Sequence, residues 1–209
     1  MKNILCFGDS NTWGADPVEK GRFDRDTRWT GRLQRLLGDE YYIIEEGLNG
    51  RTTVFDDPLE EGRCGKDYLY PCLQTHKPID LVILMLGTND LKKRFSVSAE
   101  EIVKGVEFLI KKILVSEAGR DEEAPEILLL APAVIKEIAE FETIFSGGRE
   151  KSKEFSLRYK ELAEQYGCHF LDTNTIMSVS DADGIHYEIE GHRSLAQRLV
   201  EKIEHIRLL

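Results

Sequence analysis

The sequence predicts an α/β fold, a flavodoxin-like three-layer α/β/α sandwich built on a five-stranded parallel sheet. Short apolar segments alternate with segments in which apolar residues recur every three or four positions, as in chains that alternate strands with helices. The segments at 81–86 and 127–130 have no polar face, which is typical of strands covered by helices on both sides. With 209 residues, 41% of them hydrophobic, the chain is predicted to form a single domain over residues 1–209.

Each predicted strand is a short apolar run followed by a loop that contains small or polar residues. In sequence order the strands are Ile4–Phe7, Tyr41–Glu45, Asp80–Leu86, Glu126–Ala131 and His169–Asp172. The loops at their carboxyl ends are 8–13, 47–53, 87–90, 132–148 and 173–186. Ligands of open parallel sheets bind outside these strand ends, so we expect the functional residues in these loops.

The predicted helices are recognised by the spacing of their apolar residues and by signals at their ends. They cover Trp29–Leu37, Ser98–Leu114, Glu150–Tyr166 and Gly191–Leu208. Ser98 and Glu101 form a capping-box pattern at the start of the second helix. Gly167 is a typical residue directly after the end of the third helix.

The charge balance argues against several classes of partner. The chain has 38 acidic and 28 basic residues, a formal net charge of -10. Such a surface repels phosphate backbones and anionic lipids, so we expect neither a nucleic-acid nor a membrane partner. Only four apolar residues follow the first three positions, fewer than the roughly 7–15 of a signal-peptide core. These observations predict a cytoplasmic location.

The cysteines are predicted to be free thiols. The four cysteines show neither a C-x-x-C pair nor a histidine at zinc-finger spacing; they are Cys6, Cys64, Cys72 and Cys168. Free thiols are typical of a reducing cytoplasm. No cofactor and no metal are predicted for this chain.

The loop after the first strand contains a candidate nucleophile. Ser10 lies in Gly8-Asp9-Ser10-Asn11, directly after the apolar run, and a serine hydroxyl needs an adjacent base to be reactive. Of the five histidines, only His186 has an acidic residue three positions earlier in a glycine-containing loop. We therefore predict that Ser10 is the nucleophile, that His186 is its base and that Asp183 orients the imidazole.

Two further loops offer donors for an oxyanion. Asn89 follows the third strand and presents a side-chain amide, and Gly50 follows the second strand and presents a backbone N–H. Together with the N–H of Ser10, they are predicted to form an oxyanion hole. We interpret Asp9 and Asp90 as carboxylates that organise these loops.

The chain resembles the SGNH (GDSL-type) hydrolases. The four residues of the family name correspond here to Ser10, Gly50, Asn89 and His186, and Gly-Asp-Ser, Gly-Thr-Asn-Asp and Asp-x-x-His surround them. Further stretches, including Arg28-Trp-Thr-Gly and Arg51-Thr-Thr, resemble a bacterial arylesterase/acyltransferase subgroup over nearly the whole chain. The resemblance implies hydrolysis of small esters and, in some relatives, acyl transfer to alcohols, perhydrolysis and assembly into homo-oligomers.

The resemblance also implies a substrate pocket beside the nucleophile. Its expected lining is Asn11, Trp13, Ala15, Phe141, Ile144, Phe145 and Ile185. Position 11 is Asn where the subgroup often has Leu, Ala15 replaces a bulky aromatic, and position 50 is Gly where acyltransferase members can have Ala. Residues 141, 144 and 145 fit the pocket, a subunit contact or an amphipathic helix packed on its own domain equally well.

Several other functions remain open. Carbohydrate acetylesterases are a neighbouring group that also carries Gly-Asp-Ser-Asn-Thr-Trp-Gly, so a sugar deacetylase is a close alternative. A metal-dependent hydrolase would use Asp181, Asp183, His186 and His192 as ligands, but it leaves Ser10 and Asn89 without a role. A third alternative is a module that binds acylated ligands without turnover.

Overall fold

The structure of this protein is a computed structural model that describes residues 1–206 and Leu208. Five parallel strands form one sheet in the order β2-β1-β3-β4-β5. Their bounds are Lys2–Gly8 (β1), Tyr41–Gly47 (β2), Leu81–Met85 (β3), Glu126–Ala131 (β4) and His169–Asp172 (β5). This strand order is that of flavodoxin-like sheets, so the predicted fold class is confirmed.

Helices cover both faces of the sheet and connect consecutive strands. Their bounds are Ser10–Trp13 (α1), Trp29–Leu37 (α2), Gly65–His76 (α3), Ala99–Leu114 (α4), Gly148–Ser152 (α5), Phe155–Tyr166 (α6) and Ile189–Glu204 (α7). Helices α3, α4 and α6 pack on one face and α2 and α7 on the other. The alternation of side chains along each strand produces two apolar clusters, so that Leu84 belongs to the first and Ile83 to the second.

Several helical segments differ from the sequence prediction, among them α1, which lies within the predicted loop 8–13. The predicted helix over 150–166 is two helices, interrupted at Lys153 and Glu154. Helix α7 begins two residues before Gly191 and ends at Glu204 rather than Leu208, and Arg207 lies outside the described residues. Helix α3 was not predicted, because Pro71 lies inside it and no side chain caps its start.

The strand register brings the loops after β1, β2 and β3 together. Gly8 at the end of β1 pairs with Gly47 at the end of β2 and with Met85 at the end of β3. The chains that leave these strands therefore begin at one level, at the carboxyl edge of the sheet.

Two further features concern the apolar character of the helices and the state of the cysteines. None of the helices within residues 1–206 combines the length and the apolar composition that crossing a membrane requires. All four cysteines are free thiols; three of them are buried and Cys168 is half-buried.

Candidate active site

The serine, the histidine and the aspartate predicted from the sequence form a continuous chain of contacts. Ser10 is the first residue of α1, and the Asp9 side chain caps this short helix by accepting from the backbone N–H of Asn11 at 3.0 Å. His186 Nε2 lies 2.9 Å from Ser10 Oγ, and His186 Nδ1 lies 2.6 Å from Asp183 Oδ2. In this arrangement the imidazole can remove the hydroxyl proton while the carboxylate holds the ring.

The loop from Asp183 to His186 is a tight turn built around the aspartate. Asp183 Oδ1 accepts hydrogen bonds from the backbone N–H groups of Ile185 (2.9 Å) and His186 (3.0 Å). Gly184 has a φ of +78°, and a Cβ there would lie 2.3 Å from the backbone oxygen of Lys136. Burial raises the pKa of Asp183, but the hydrogen bonds from His186 and Ile185 outweigh it, so the net pKa is lowered. The carboxylate is therefore ionised when an imidazolium forms beside it.

Gly50 and Asn89 lie on the same cavity as Ser10 and His186. Gly50 adopts a φ of +76°, a conformation that favours glycine. Asn89 is buried, and its Nδ2 donates to the backbone oxygen of Arg51 at 3.1 Å. An amide nitrogen carries two hydrogens, so one donor of Asn89 remains for a ligand.

Two buried carboxyl groups, those of Asp9 and Asp90, accept hydrogen bonds from residues of these loops. Burial raises the pKa of Asp9 and that of Asp90 to about 6 each. Asp90 accepts from the Thr53 hydroxyl at 2.5 Å and from the Thr53 backbone N–H at 3.0 Å. These contacts tie the loop after β3 to the loop after β2.

The cavity over Ser10 has a volume of about 270 Å³ and two chemically different walls. One wall is mainly apolar and consists of Ala15, Phe141, Ile144, Phe145 and Ile185. The other is polar and consists of Asn49, Glu60, Lys92 and Arg94. The Phe141 ring is 6.0 Å from the His186 ring, centroid to centroid, in an edge-to-face arrangement. The site thus combines an apolar compartment with a charged one.

Two residues predicted to line the pocket lie elsewhere. Asn11 is 2% exposed, and its side-chain amide bonds to the backbone of the loop that carries His186. Trp13 lies under the guanidinium of Arg22, whose Cζ is 4.9 Å from the indole centroid. Asn11 lies about 100° around the helical turn from Ser10, so its side chain points away from the cavity.

The polar wall was missed by the sequence reasoning. Lys92 Nζ lies 3.2 Å from Asp57 Oδ2 and 2.9 Å from Glu60 Oε1. Arg94 bridges the same two carboxylates at 2.5 and 2.8 Å. Lys92 follows Asp90 by two positions and could have been found by its place after β3, whereas no local pattern singles out Glu60.

The metal site considered from the sequence does not assemble. Asp181 pairs with Lys136 at 2.6 Å on the surface. His192 is buried, where its Nδ1 accepts from the backbone N–H of Trp29 and burial lowers its pKa to about 3. Within the described part of the chain, potential ligands come within 4.8 Å of one another in two other groups; these are Glu46, Cys72 and His76, and Asp56, Cys64 and Asp67.

The chain is similar to one protein family and to the solved structures of two esterases. The model of the GDSL-like lipase/acylhydrolase family matches residues 6–194. The aryl esterase of M. smegmatis is 40% identical, with a TM-score of 0.94 over 99% of this chain and 100% of that one. A carbohydrate acetylesterase from Sinorhizobium meliloti is also 40% identical, with a TM-score of 0.94 over 98% and 99% of the two chains.

A curated acetylxylan esterase from Xylanibacter ruminicola is 26% identical over 96% of this chain. The present chain spans 43% of the length of that relative.

Proposed function

This chain belongs to the GDSL-like lipase/acylhydrolase family, and from that premise we propose that it is a serine esterase that cleaves small carboxylic esters. The observation that carries the proposal is the 2.9 Å contact of Ser10 Oγ with His186 Nε2, together with the 2.6 Å contact of His186 Nδ1 with Asp183 Oδ2. A serine in such a contact gains the base that an isolated hydroxyl lacks.

The first step forms an acyl-enzyme. His186 Nε2 takes the proton of Ser10 as Oγ attacks the ester carbonyl carbon, and Asp183 stabilises the imidazolium. The carbonyl oxygen becomes an oxyanion, for which the N–H groups of Ser10 and Gly50 and the Asn89 amide are the donors. Losing one such donor typically raises the barrier by ~2.7–4 kcal/mol.

The alcohol leaves first, which completes the acyl-enzyme, and the acid is released afterwards. The oxyanion collapses, the bond to the leaving alcohol breaks, and His186 gives its proton to the alcohol oxygen. Water then enters, His186 removes one of its protons, and the oxygen attacks the acyl carbon. The second oxyanion collapses, the bond between the acyl carbon and Ser10 Oγ breaks, and His186 returns its proton to Oγ, which regenerates Ser10 and releases a carboxylic acid. If an alcohol or hydrogen peroxide replaces water, the same intermediate gives a new ester or a peracid.

The shape of the cavity supports small acyl groups. Its volume of about 270 Å³ lies slightly below the ~300–1,000 Å³ of typical ligand pockets. Phe145, 2% exposed, and Ile185, 3% exposed, are fixed in the core on the apolar side of the cavity. Acetate-like acyl groups therefore fit this wall better than long chains.

Replacement of the nucleophile tests the proposal. Ser10→Ala removes the attacking oxygen, so p-nitrophenyl acetate turnover should fall by at least about 10³-fold. Ser116→Ala is the matched control, because Ser116 is also buried but its hydroxyl bonds to Ile113 outside the site. Unchanged turnover by the Ser10 variant would contradict the esterase mechanism. Failure of a serine-directed organophosphonate to label Ser10 in folded protein would favour a binding module without turnover.

A second candidate function is carbohydrate deacetylation, and the polar wall is the observation that favours it. Asn49, Glu60, Lys92 and Arg94 present donors and acceptors on one side of the cavity. Hydroxyl groups both donate and accept, so a sugar alcohol matches this wall better than an apolar aryl alcohol.

Variants of the polar wall distinguish the two alcohols. Arg94→Met and Glu60→Gln should lower kcat/KM for acetylated xylose about tenfold or more and leave p-nitrophenyl acetate nearly unaffected, since each removes a charged hydrogen-bonding group. Lys93→Met is the control, because Lys93 is an exposed neighbour that does not line the cavity. Equal losses for both esters would argue against a sugar-binding role of this wall.

A further inference from the structure

Asn11 is buried directly after the nucleophile, and each of its four polar groups has a hydrogen-bond partner. Its backbone N–H donates to Asp9 Oδ1 at 3.0 Å, and its backbone oxygen accepts from the Trp29 indole Nε1 at 3.1 Å. Its side-chain Nδ2 donates to the backbone oxygen of Ile185 at 3.2 Å, and its Oδ1 accepts from the backbone N–H of Tyr187 at 3.0 Å. The two side-chain bonds therefore hold the residues on either side of His186.

We propose that Asn11 is a positioning residue that sets the distance between Ser10 and His186 by clamping the backbone before and after the histidine. This inference rests on the proposed esterase function, in which the Ser10–His186 contact is used. It goes beyond that function because Asn11 touches neither the substrate cavity nor the reacting atoms.

Hydrogen bonds hold both ends of this clamp, the turn that carries Asn11 and the loop that carries His186. On the nucleophile side, Asn11 shares the single turn of α1 with Ser10, and the Trp29 indole holds its carbonyl. On the histidine side, Asp183 Oδ1 accepts from the N–H groups of residues 185 and 186, and the amide of Asn11 bonds to residues 185 and 187. Three consecutive residues around the imidazole are thus fixed to two different side chains. A displacement of about 1 Å in such a site can cost ~10²-fold in rate.

The side-chain chemistry required at position 11 is specific. The clamp needs one donor and one acceptor on the same planar group, which an amide offers. Leucine has a similar size but neither group, so it would leave the Ile185 oxygen and the Tyr187 N–H without these partners. An ionised aspartate has only acceptors, whereas a protonated aspartate again offers a donor and an acceptor.

Two variants and one control test the clamp. Asn11→Leu should lower kcat for p-nitrophenyl acetate about 10- to 100-fold with little change in KM, because positioning and not binding is lost. It should slow organophosphonate labelling of Ser10 by a similar factor. Thr12→Val is the matched control: Thr12 is buried beside Asn11, and its hydroxyl has no hydrogen-bond partner within the described residues.

Asn11→Asp provides a readout that a general packing role would not give. The ratio of variant to wild-type kcat should fall with pH as residue 11 ionises and its donor is lost. The neighbouring titratable groups Asp9, Asp183 and His186 are present in both proteins, so the ratio isolates position 11.

Several results would overturn the proposal. One is an Asn11→Leu variant with wild-type kcat and labelling rate; another is an Asn11→Asp variant whose kcat ratio to wild type is independent of pH. If circular dichroism shows that the Asn11→Leu variant does not fold, the Asn11→Asp variant decides, because it preserves the side-chain size and the acceptor.

If the wild-type protein hydrolyses no ester, the esterase proposal fails on its own. The clamp is then judged by the downfield NMR signal of the His186 Nδ1–H, which must weaken in the variants but not in Thr12→Val.

Discussion

At the scale of single residues, the pKa values of the buried carboxyl groups at this site shift in opposite directions. Asp183 accepts hydrogen bonds from the imidazole and from two backbone N–H groups, and its net pKa is lowered. Asp9 and Asp90 are fully buried, and burial raises their pKa to about 6. One carboxyl group is thus kept charged next to the chemistry, while two behind it hold a proton more readily than an exposed aspartate.

Asp90→Asn should change how stability depends on pH. The pKa of Asp90 rises from 3.8 to about 6 on folding, so the folded protein binds a proton that the unfolded chain releases in this range. The stabilisation that follows is present below pH 4 and is lost as pH rises through 6. Relative to Asp90→Asn, which does not titrate, the free energy of unfolding of the wild type should fall by about 1–3 kcal/mol between pH 4 and 7. Urea unfolding at both pH values checks this, and a constant difference would contradict it.

At the scale of elements, the site depends on how closely α1 approaches the end of β2. A Cβ at Gly47 would lie 2.2 Å from the Trp13 backbone nitrogen and 2.6 Å from the Thr12 carbonyl carbon. Only a glycine lets this single helical turn lie against the strand end, and the turn begins with Ser10. The absence of a side chain at Gly47 therefore helps to position Ser10, the candidate nucleophile.

Gly47→Ala should displace α1 and with it Ser10. We expect about 10- to 100-fold lower kcat for p-nitrophenyl acetate, since a shift of about 1 Å at the nucleophile has that effect. Gly21→Ala is the control, because nothing lies within 4 Å of a Cβ built at that position. An unchanged kcat in the Gly47 variant would show that α1 is not held by this contact.

Element boundaries also mark the limit of local sequence signals. The capping box of Ser98 and Glu101 was correct to the residue, because both of its hydrogen bonds lie within one helical turn. The break at Lys153 and Glu154 was not visible, since no glycine or proline marks it. Residues 141, 144 and 145 lie at the cavity and not along one long helix, with a 3-10 turn over Ala139–Phe141.

At the scale of the whole molecule, one sheet separates two apolar clusters. Leu109 on α4 belongs to the cluster on one face and Leu199 on α7 to the cluster on the other, and both are fully buried. Because the same strands contribute side chains to both clusters, we expect them to unfold together, as a single domain requires.

Leu109→Ala and Leu199→Ala should each lower the free energy of unfolding by about 2–5 kcal/mol and shift the same urea transition. Far-UV circular dichroism reports all helices, whereas fluorescence reports Trp13 and Trp29; the two curves should coincide in both variants. Leu157→Ala, at a position 64% exposed, should have little effect. Two separate transitions, each moved by one variant, would contradict a single domain.

Homo-oligomer formation also belongs to this scale and stays a prediction, as does the cytoplasmic location. The native mass of the purified protein measures the first directly: a multiple of 23.9 kDa is expected, and a monomer mass would contradict it.

The sequence by itself determined the fold class, helices α2, α4, α6 and α7 in outline and the three residues that meet at the candidate site. It did so because helical periodicity, capping boxes and the Asp-x-x-His turn are local patterns, and because strand ends of a parallel sheet share one edge. Only the tertiary structure decided the rest. Glu60 and Arg94 are 34 residues apart in the sequence but form an ion pair within the polar wall. The partners of the Asn11 amide lie 174 and 176 residues away. Such contacts are set by the packing of whole elements. No short pattern in the chain could therefore predict that Asn11 faces the loop that carries His186 and not the substrate.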